Sequence, residues 1–167
     1  QEYSNYQLNT FNGVNFEVTN IQACKDDLGT GPTDNSATTG ACASDRLKPG
    51  VVAKGFEIET FLRPAHYVSV NMGLTYVDTL YRRNLVGTGG RALSPVLFQL
   101  PGRGVSNAAK YVATAGVSWT PPIGGSGLSA LFYLDTRIQS DTNTGSNLDI
   151  EKVQGGFAVF HGRIGLF

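Results

Sequence analysis

Apolar and polar side chains alternate with a period of two in four separate stretches, and a backbone patterned this way forms β-strands with two chemically different faces. In residues 67–82, Val68, Val70, Met72, Leu74 and Tyr76 share one parity, whereas Ser69, Asn71, Gly73 and Thr75 share the other. Residues 108–120 set Ala109, Tyr111, Ala113, Ala115, Val117 and Trp119 against Lys110, Thr114, Gly116, Ser118 and Thr120, with Val112 as the exception. Residues 128–139 oppose Leu128, Ala130, Phe132, Leu134 and Ile138 to a parity that carries Asp135, Arg137 and Gln139. Residues 55–63 oppose Phe56, Ile58 and Leu62 to Glu57, Glu59 and Arg63, and Phe61 departs from the rule. A fifth long strand is expected in 153–167, with Ala158, Phe160, Ile164 and Leu166 against His161 and Arg163. Residues 3–11 suggest a further strand and 15–20 a short extension. No segment has a 3.6-residue apolar period, so helices are confined to short loop decorations.

The connections alternate in length. Residues 63–66 and 121–127 are tight turns rich in Pro and Gly, residue types that supply turn dihedrals. Residues 21–49, 83–107 and 140–152 are long. Short turns at one end of a sheet and long loops at the other describe an outer-membrane barrel, with turns toward the periplasm and loops toward the exterior. The strands are also long, since membrane-crossing strands need about 9 to 11 tilted residues and soluble ones usually have about 5 or 6. The fold class expected is therefore all-β: an antiparallel transmembrane β-barrel segment of about five or six long strands with short periplasmic turns and long extracellular loops. Residues 1–167 form one partial barrel in this reading. A soluble antiparallel sheet would need a second layer over its apolar face, which the pattern does not provide.

Charge and composition narrow the function. Charged residues are 16% of the chain and the formal net charge is +0, without the basic footprint of a nucleic-acid binder. No run of about 18 apolar residues marks a transmembrane helix, a criterion that leaves half-apolar barrel strands untouched. Gln1 is not an initiator methionine and no signal-peptide pattern follows it, so a mature, cleaved or excerpted chain is expected. Cys24 and Cys42 lie in a Gly-, Asn-, Asp- and Thr-rich stretch and read as a loop disulfide formed in an oxidising compartment. His66 and His161 are too distant in sequence to complete a zinc site with them.

Catalytic constellations are weak. Glu57 and Glu59, two apart on one strand face, read as partners of nearby cations such as Arg63, and Asp135 with Arg137 and Arg163 as a solvated charge lattice. Two scattered histidines make no Ser-His-Asp set. The run Gly87-Thr88-Gly89-Gly90-Arg91 lacks the lysine and following helix of a phosphate loop and reads as flexible. Asp26, Asp27, Asp34 and Asp45 match no calcium-loop spacing and read as a solvated acidic loop. The apolar run Leu93–Leu100 is expected to pack against neighbouring loops, with substrate contact as the alternative.

Several motifs resemble TonB-dependent outer-membrane receptors. They are Gln7-Leu8-Asn9-Thr10-Phe11-Asn12-Gly13, Lys54-Gly55-Phe56-Glu57-Ile58-Glu59, Ser106-Asn107-Ala108-Ala109-Lys110-Tyr111, Trp119-Thr120-Pro121-Pro122 and Gly162-Arg163-Ile164-Gly165-Leu166, in the order of that family's late barrel strands. The resemblance implies a plug domain inside a barrel of about 22 strands, contact of the plug with TonB, and active uptake of a scarce small ligand across the bacterial outer membrane. No plug is recognisable here, and the chain is expected to stop before the family's last strands. The partners implied are the remainder of the barrel and plug, outer-membrane lipid, TonB through the plug, and a ligand of unknown type, with no nucleic acid and no cofactor. The chain would contribute wall, loops and lumen side chains, and no enzymatic step. Lumen-facing candidates are Asn71, Thr75, Lys110, Asp135, Arg137 and Arg163; candidates for the aromatic girdles are Tyr76, Tyr111 and Trp119. A rival of another class is a structural or adhesive β-sheet protein that meets a partner through its disulfide loop.

Overall fold

A computed structural model describes residues 1–25 and 40–167. The elements are β1 (Glu2–Tyr3), β2 (Tyr6–Phe11), β3 (Phe16–Cys24), β4 (Leu47–Pro49), β5 (Val51–Ala65), β6 (Val68–Tyr81), β7 (Leu85–Val86), β8 (Tyr111–Trp119), β9 (Ala130–Gln139), β10 (Thr142–Asn143), β11 (Val153–Gln154) and β12 (Phe157–Leu166), with four short 3-10 turns. The described chain is all-β, without an α-helix, and every pairing whose register is defined is antiparallel. The five long strands expected from alternation are β5, β6, β8, β9 and β12. They are neighbours in that order within one sheet, which is open among the described residues.

Four boundaries differ from the sequence reading. The 3–11 stretch is divided between β1 and β2 by a turn at Ser4 and Asn5, and the extension near 15–20 is the nine-residue β3. The fifth strand is interrupted at Gly155 and Gly156, so β11 and β12 are separate. The turn expected at 63–66 is shifted, because β5 continues through Pro64 to Ala65 and the reversal falls on His66 and Tyr67. Tyr67, not a glycine, takes the left-handed conformation there, at φ 64°. Pro64 tolerates strand geometry where no neighbouring strand requires its missing N–H.

The described residues form two compact units. The first contains Gln1–Lys54, Asp78–Ala108 and Thr142–Gln154; the second contains Gly55–Val77, Ala109–Asp141 and Gly155–Phe167. In the first unit, β3 pairs with β2, β4 and β7, and β1 pairs with the start of β5. Its core gathers Leu8, Ile21, Val51, Tyr81, Leu85, Leu93, Leu97, Leu100 and Val105 from segments far apart in sequence. The apolar run at 93–100 thus packs inward, as its composition suggested. The β2–β3 turn is shaped by Asn12, whose side-chain oxygen accepts from the amides of Val14 and Asn15 at 2.9 and 2.8 Å.

Cys24 and Cys42 are joined by a disulfide. The bridge packs with Val86 in a small apolar cluster flanked by Leu47. Gly90 lies against it at φ 81°, where an added Cβ would stand 2.1 Å from the Cys42 carbonyl oxygen. Bulk at that position is therefore excluded twice, by dihedral and by space.

Replacing both cysteines (Cys24→Ser, Cys42→Ser) is expected to destabilise the first unit by about 3 kcal/mol, the entropy of an open loop of this length. Denaturant unfolding of the oxidised chain, the reduced chain and the variant checks this. Equal midpoints for all three would show that the bond contributes nothing.

Candidate functional site

The second unit has the most distinctive surface, and register creates it. Between β6 and β8, Val68, Val70, Met72, Leu74 and Tyr76 lie opposite Trp119, Val117, Ala115, Ala113 and Tyr111. Between β8 and β9, Ala113, Val117 and Trp119 lie opposite Ile138, Leu134 and Phe132. Between β9 and β12, Ala130, Phe132 and Ile138 lie opposite Leu166, Ile164 and Ala158. Directly opposed residues in an antiparallel pair project from the same face. Each strand's apolar parity is thereby placed on one continuous face, and the stacking of Phe56 on Tyr76 brings β5 into the same arrangement. A slip of one residue at any of these ladders would turn a whole strand over.

Nothing among the described residues covers this face. Phe56, Ile58, Met72, Trp119, Phe132, Leu134, Ile164 and Leu166 are all exposed, from 41% for Phe132 to 80% for Ile164. Every large buried apolar side chain belongs instead to the first unit. Single exposed apolar residues are ordinary, whereas a contiguous apolar face across five strands marks a surface that contacts a partner or a membrane.

Aromatic residues occupy both ends of the apolar face. Tyr76 and Tyr111 are directly opposed at one end, with the Phe56 ring stacked on Tyr76 at 5.7 Å between centroids. At the other end Trp119 stacks on Phe132 at 5.2 Å. The nine register pairs from Val68–Trp119 to Tyr76–Tyr111 span about 26 Å along the strand at ~3.3 Å per residue. Phe56 and Phe132 were not singled out from the sequence. Their signal was there in parity, but only register shows that they stand beside Tyr76 and Trp119.

The opposite face is polar. Asn71 and Thr75 project from β6, Asp135 and Arg137 from β9, and Arg163 from β12, opposite Tyr133. The Thr75 hydroxyl donates to the Glu57 carboxylate at 3.2 Å. Asp135 lies directly opposite His161, with its carboxylate oxygen 3.2 Å from the ring Nδ1, and Arg137 Nη2 donates to Gln139 at 3.3 Å. The sequence grouped Asp135 with the two arginines, but its carboxylate meets His161, brought opposite by register. Lys110 stands just before β8, its ammonium 5.9 Å from the centroid of the Tyr76 ring. It therefore lies by a ring of the apolar parity. These exposed pairs organise side chains over a polar surface, and ion pairs at such exposure contribute no more than about 1 kcal/mol each.

In the first unit, Gly89 donates its amide to Gln22 and Thr88 accepts from the Asn20 amide, so the glycine run, expected to be a flexible loop, is a 3-10 turn hydrogen-bonded to β3. Asp45 accepts from Lys25 through its carbonyl oxygen at 3.4 Å, whereas Asp26, Asp27 and Asp34 lie outside the described residues. Burial, followed by the neighbouring Tyr6 phenol, pushes the Tyr81 phenol up, so it stays neutral in the core.

Gly116 leaves room on the polar face for the Asn71 side chain. A Cβ on Gly116 would stand 2.5 Å from the Asn71 side-chain oxygen directly across the ladder. Gly116→Val is expected to destabilise the sheet by about 1–3 kcal/mol through overpacking, with partial recovery when Asn71→Ala is added. Additive effects in the double-mutant cycle would contradict this contact. In comparison with known proteins, the chain matches no family model and no curated protein.

Proposed function

We propose that the chain is a wall section of a bacterial outer-membrane β-barrel, the second unit facing lipid with its apolar side and a lumen with its polar side. The observation that carries this reading is the uncovered apolar face that register builds from five long strands. Bilayer hydrocarbon is the one medium in which such a face needs no second protein layer. The aromatic clusters at its two ends correspond to residues that settle at membrane interfaces. The outer edges of β5, over 55–65, and of β12 have no strand partner among the described residues. Unpaired backbone groups in lipid cost several kcal/mol each, so this section requires further strands beside it.

On the same reading the chain belongs to a TonB-dependent receptor. The five motifs that resemble that family support it, and so does the compact first unit, which would be an assembly of extracellular loops. The receptor's plug, TonB and a small scarce ligand would be its partners. Asn71, Thr75, Asp135, Arg137 and Arg163 would line the lumen, and the chain would contribute no bond-breaking step.

Arginine substitutions separate the faces. Val70→Arg and Ala115→Arg, near the middle of the apolar face, are expected to impair assembly into bilayers by about 2–4 kcal/mol each. Thr114→Arg on the polar face is expected to be tolerated. Folding yields in lipid vesicles check the difference; equal tolerance of all three would contradict a lipid-facing side.

A further inference from the structure

Every residue lining a cleft of about 530 Å³ belongs to the first unit. The charged side chains of that lining are Lys48, Lys54, Arg82 and Arg83 with Glu2 and Asp78, so cations exceed acids by two. The Glu2 carboxylate accepts from the Arg82 guanidinium. Lys48, Lys54 and Arg83 have no ion pair among the described residues. Like charges gathered at one cleft repel one another, and an anion placed among them relieves that repulsion.

The cations come from three segments whose backbones are tied down. Lys48 lies on β4, opposite Ala23 of β3. Lys54 lies on β5 just past Val51 and Val52, which pair with β1, and alternation sets it on the side away from Val51 in the core. Arg82 and Arg83 follow Tyr81, the last residue of β6 and itself part of that core. The Arg82 amide donates to the Gly50 carbonyl at 2.8 Å, and the Arg82 carbonyl accepts from Gly102 at 3.3 Å. Gly50 has no room for a side chain, because a Cβ there would stand 2.7 Å from the Ile21 carbonyl oxygen. The backbone that carries the charges is therefore ordered before any ligand arrives, which reduces the ordering cost of binding.

We infer that this cleft binds a small organic phosphate monoester. Such a group carries about two negative charges at neutral pH and presents three strong acceptor oxygens. Its charge matches the excess of two, and its oxygens suit the three cations that lack an ion pair. Lysine meets phosphate as a point charge and arginine as a fork of donors. The volume falls within the roughly 300–1,000 Å³ of small-ligand sites and exceeds what one phosphate group needs. Val52 and Leu80 add apolar wall for the organic part of the ester. The inference stands on the first unit alone and does not depend on the lipid-facing reading of the second.

The test is equilibrium dialysis of the full chain in nonionic detergent micelles, with empty micelles as the blank and phenyl phosphate as the probe. Phenyl phosphate is expected to bind one to one. Phenyl sulfate, of similar shape with one charge fewer, should bind roughly tenfold more weakly. Inorganic phosphate should also bind more weakly, and phenol should not bind. The variant Lys48→Gln, Lys54→Gln, Arg83→Gln should weaken phenyl phosphate binding by more than about tenfold, whereas Lys48→Arg, Lys54→Arg should stay within about threefold of the unaltered chain. No phenyl phosphate bound at millimolar concentration, or equal affinity for phenyl sulfate, would overturn the phosphate assignment in the unaltered chain, whatever the variants do. Equal affinity for inorganic phosphate would assign the cleft to a free anion and overturn the ester. Binding of dihexanoyl phosphatidic acid without binding of phenyl phosphate would assign the phosphate to a lipid and overturn the soluble ligand. Undiminished affinity in the glutamine variant would put the bound ester elsewhere and overturn the site.

Discussion

The backbone ladders joining β6, β8, β9 and β12 are the constraint on which the rest depends. Each ladder fixes which residues stand opposite one another, and together they convert local alternation on separate strands into two extended faces. Apolar burial cannot explain why this sheet holds its register, because its apolar side has no protein partner among the described residues. Backbone hydrogen bonds and cross-strand contacts such as Trp119–Phe132 hold the register, while the surrounding medium decides whether the apolar face stabilises the fold. In water every uncovered Leu, Ile or Phe on that face forgoes about 1.5–3 kcal/mol of burial. In hydrocarbon the same residues are satisfied.

The first unit follows the opposite rule. Apart from β3 its strands are short, and its long loops are folded against one another around Leu85, Leu97, Leu100 and Tyr81, with the Cys24–Cys42 bond stapling a second, smaller cluster. Loops of this length usually lack a core of their own, and the apolar run at 93–100 together with the bridge provides one here. A rigid loop assembly offers defined chemistry at fixed positions, which a set of mobile loops would not.

The strands of the second unit were legible in the sequence because alternation over eight or more residues admits few other structures. The apolar parity of β6, β8 and β9 can be read residue by residue without coordinates. The division of 3–11 was missed although Ser4 and Asn5 are both turn-forming residue types, because Tyr3 and Tyr6 on either side suit a strand. The left-handed Tyr67 was hidden for a related reason: Pro64 draws attention to itself, yet the strand simply runs through it. Side-chain partners were least accessible. Asp135 and His161 are 26 residues apart, and only the β9–β12 register places them opposite each other. Lys110 shows the limit of parity arguments, because parity assigns a face only inside a strand and Lys110 precedes one.

The central claim is that the uncovered apolar face lies in hydrocarbon, and Trp119, the chain's one tryptophan, reports on it directly from that face. The measurement is quenching of its fluorescence in lipid vesicles by bromine carried on the acyl chains, compared with quenching by aqueous iodide. Strong quenching by the brominated chains, a blue-shifted emission and protection from iodide are expected. Full access to iodide with no effect of the brominated lipid would contradict the account.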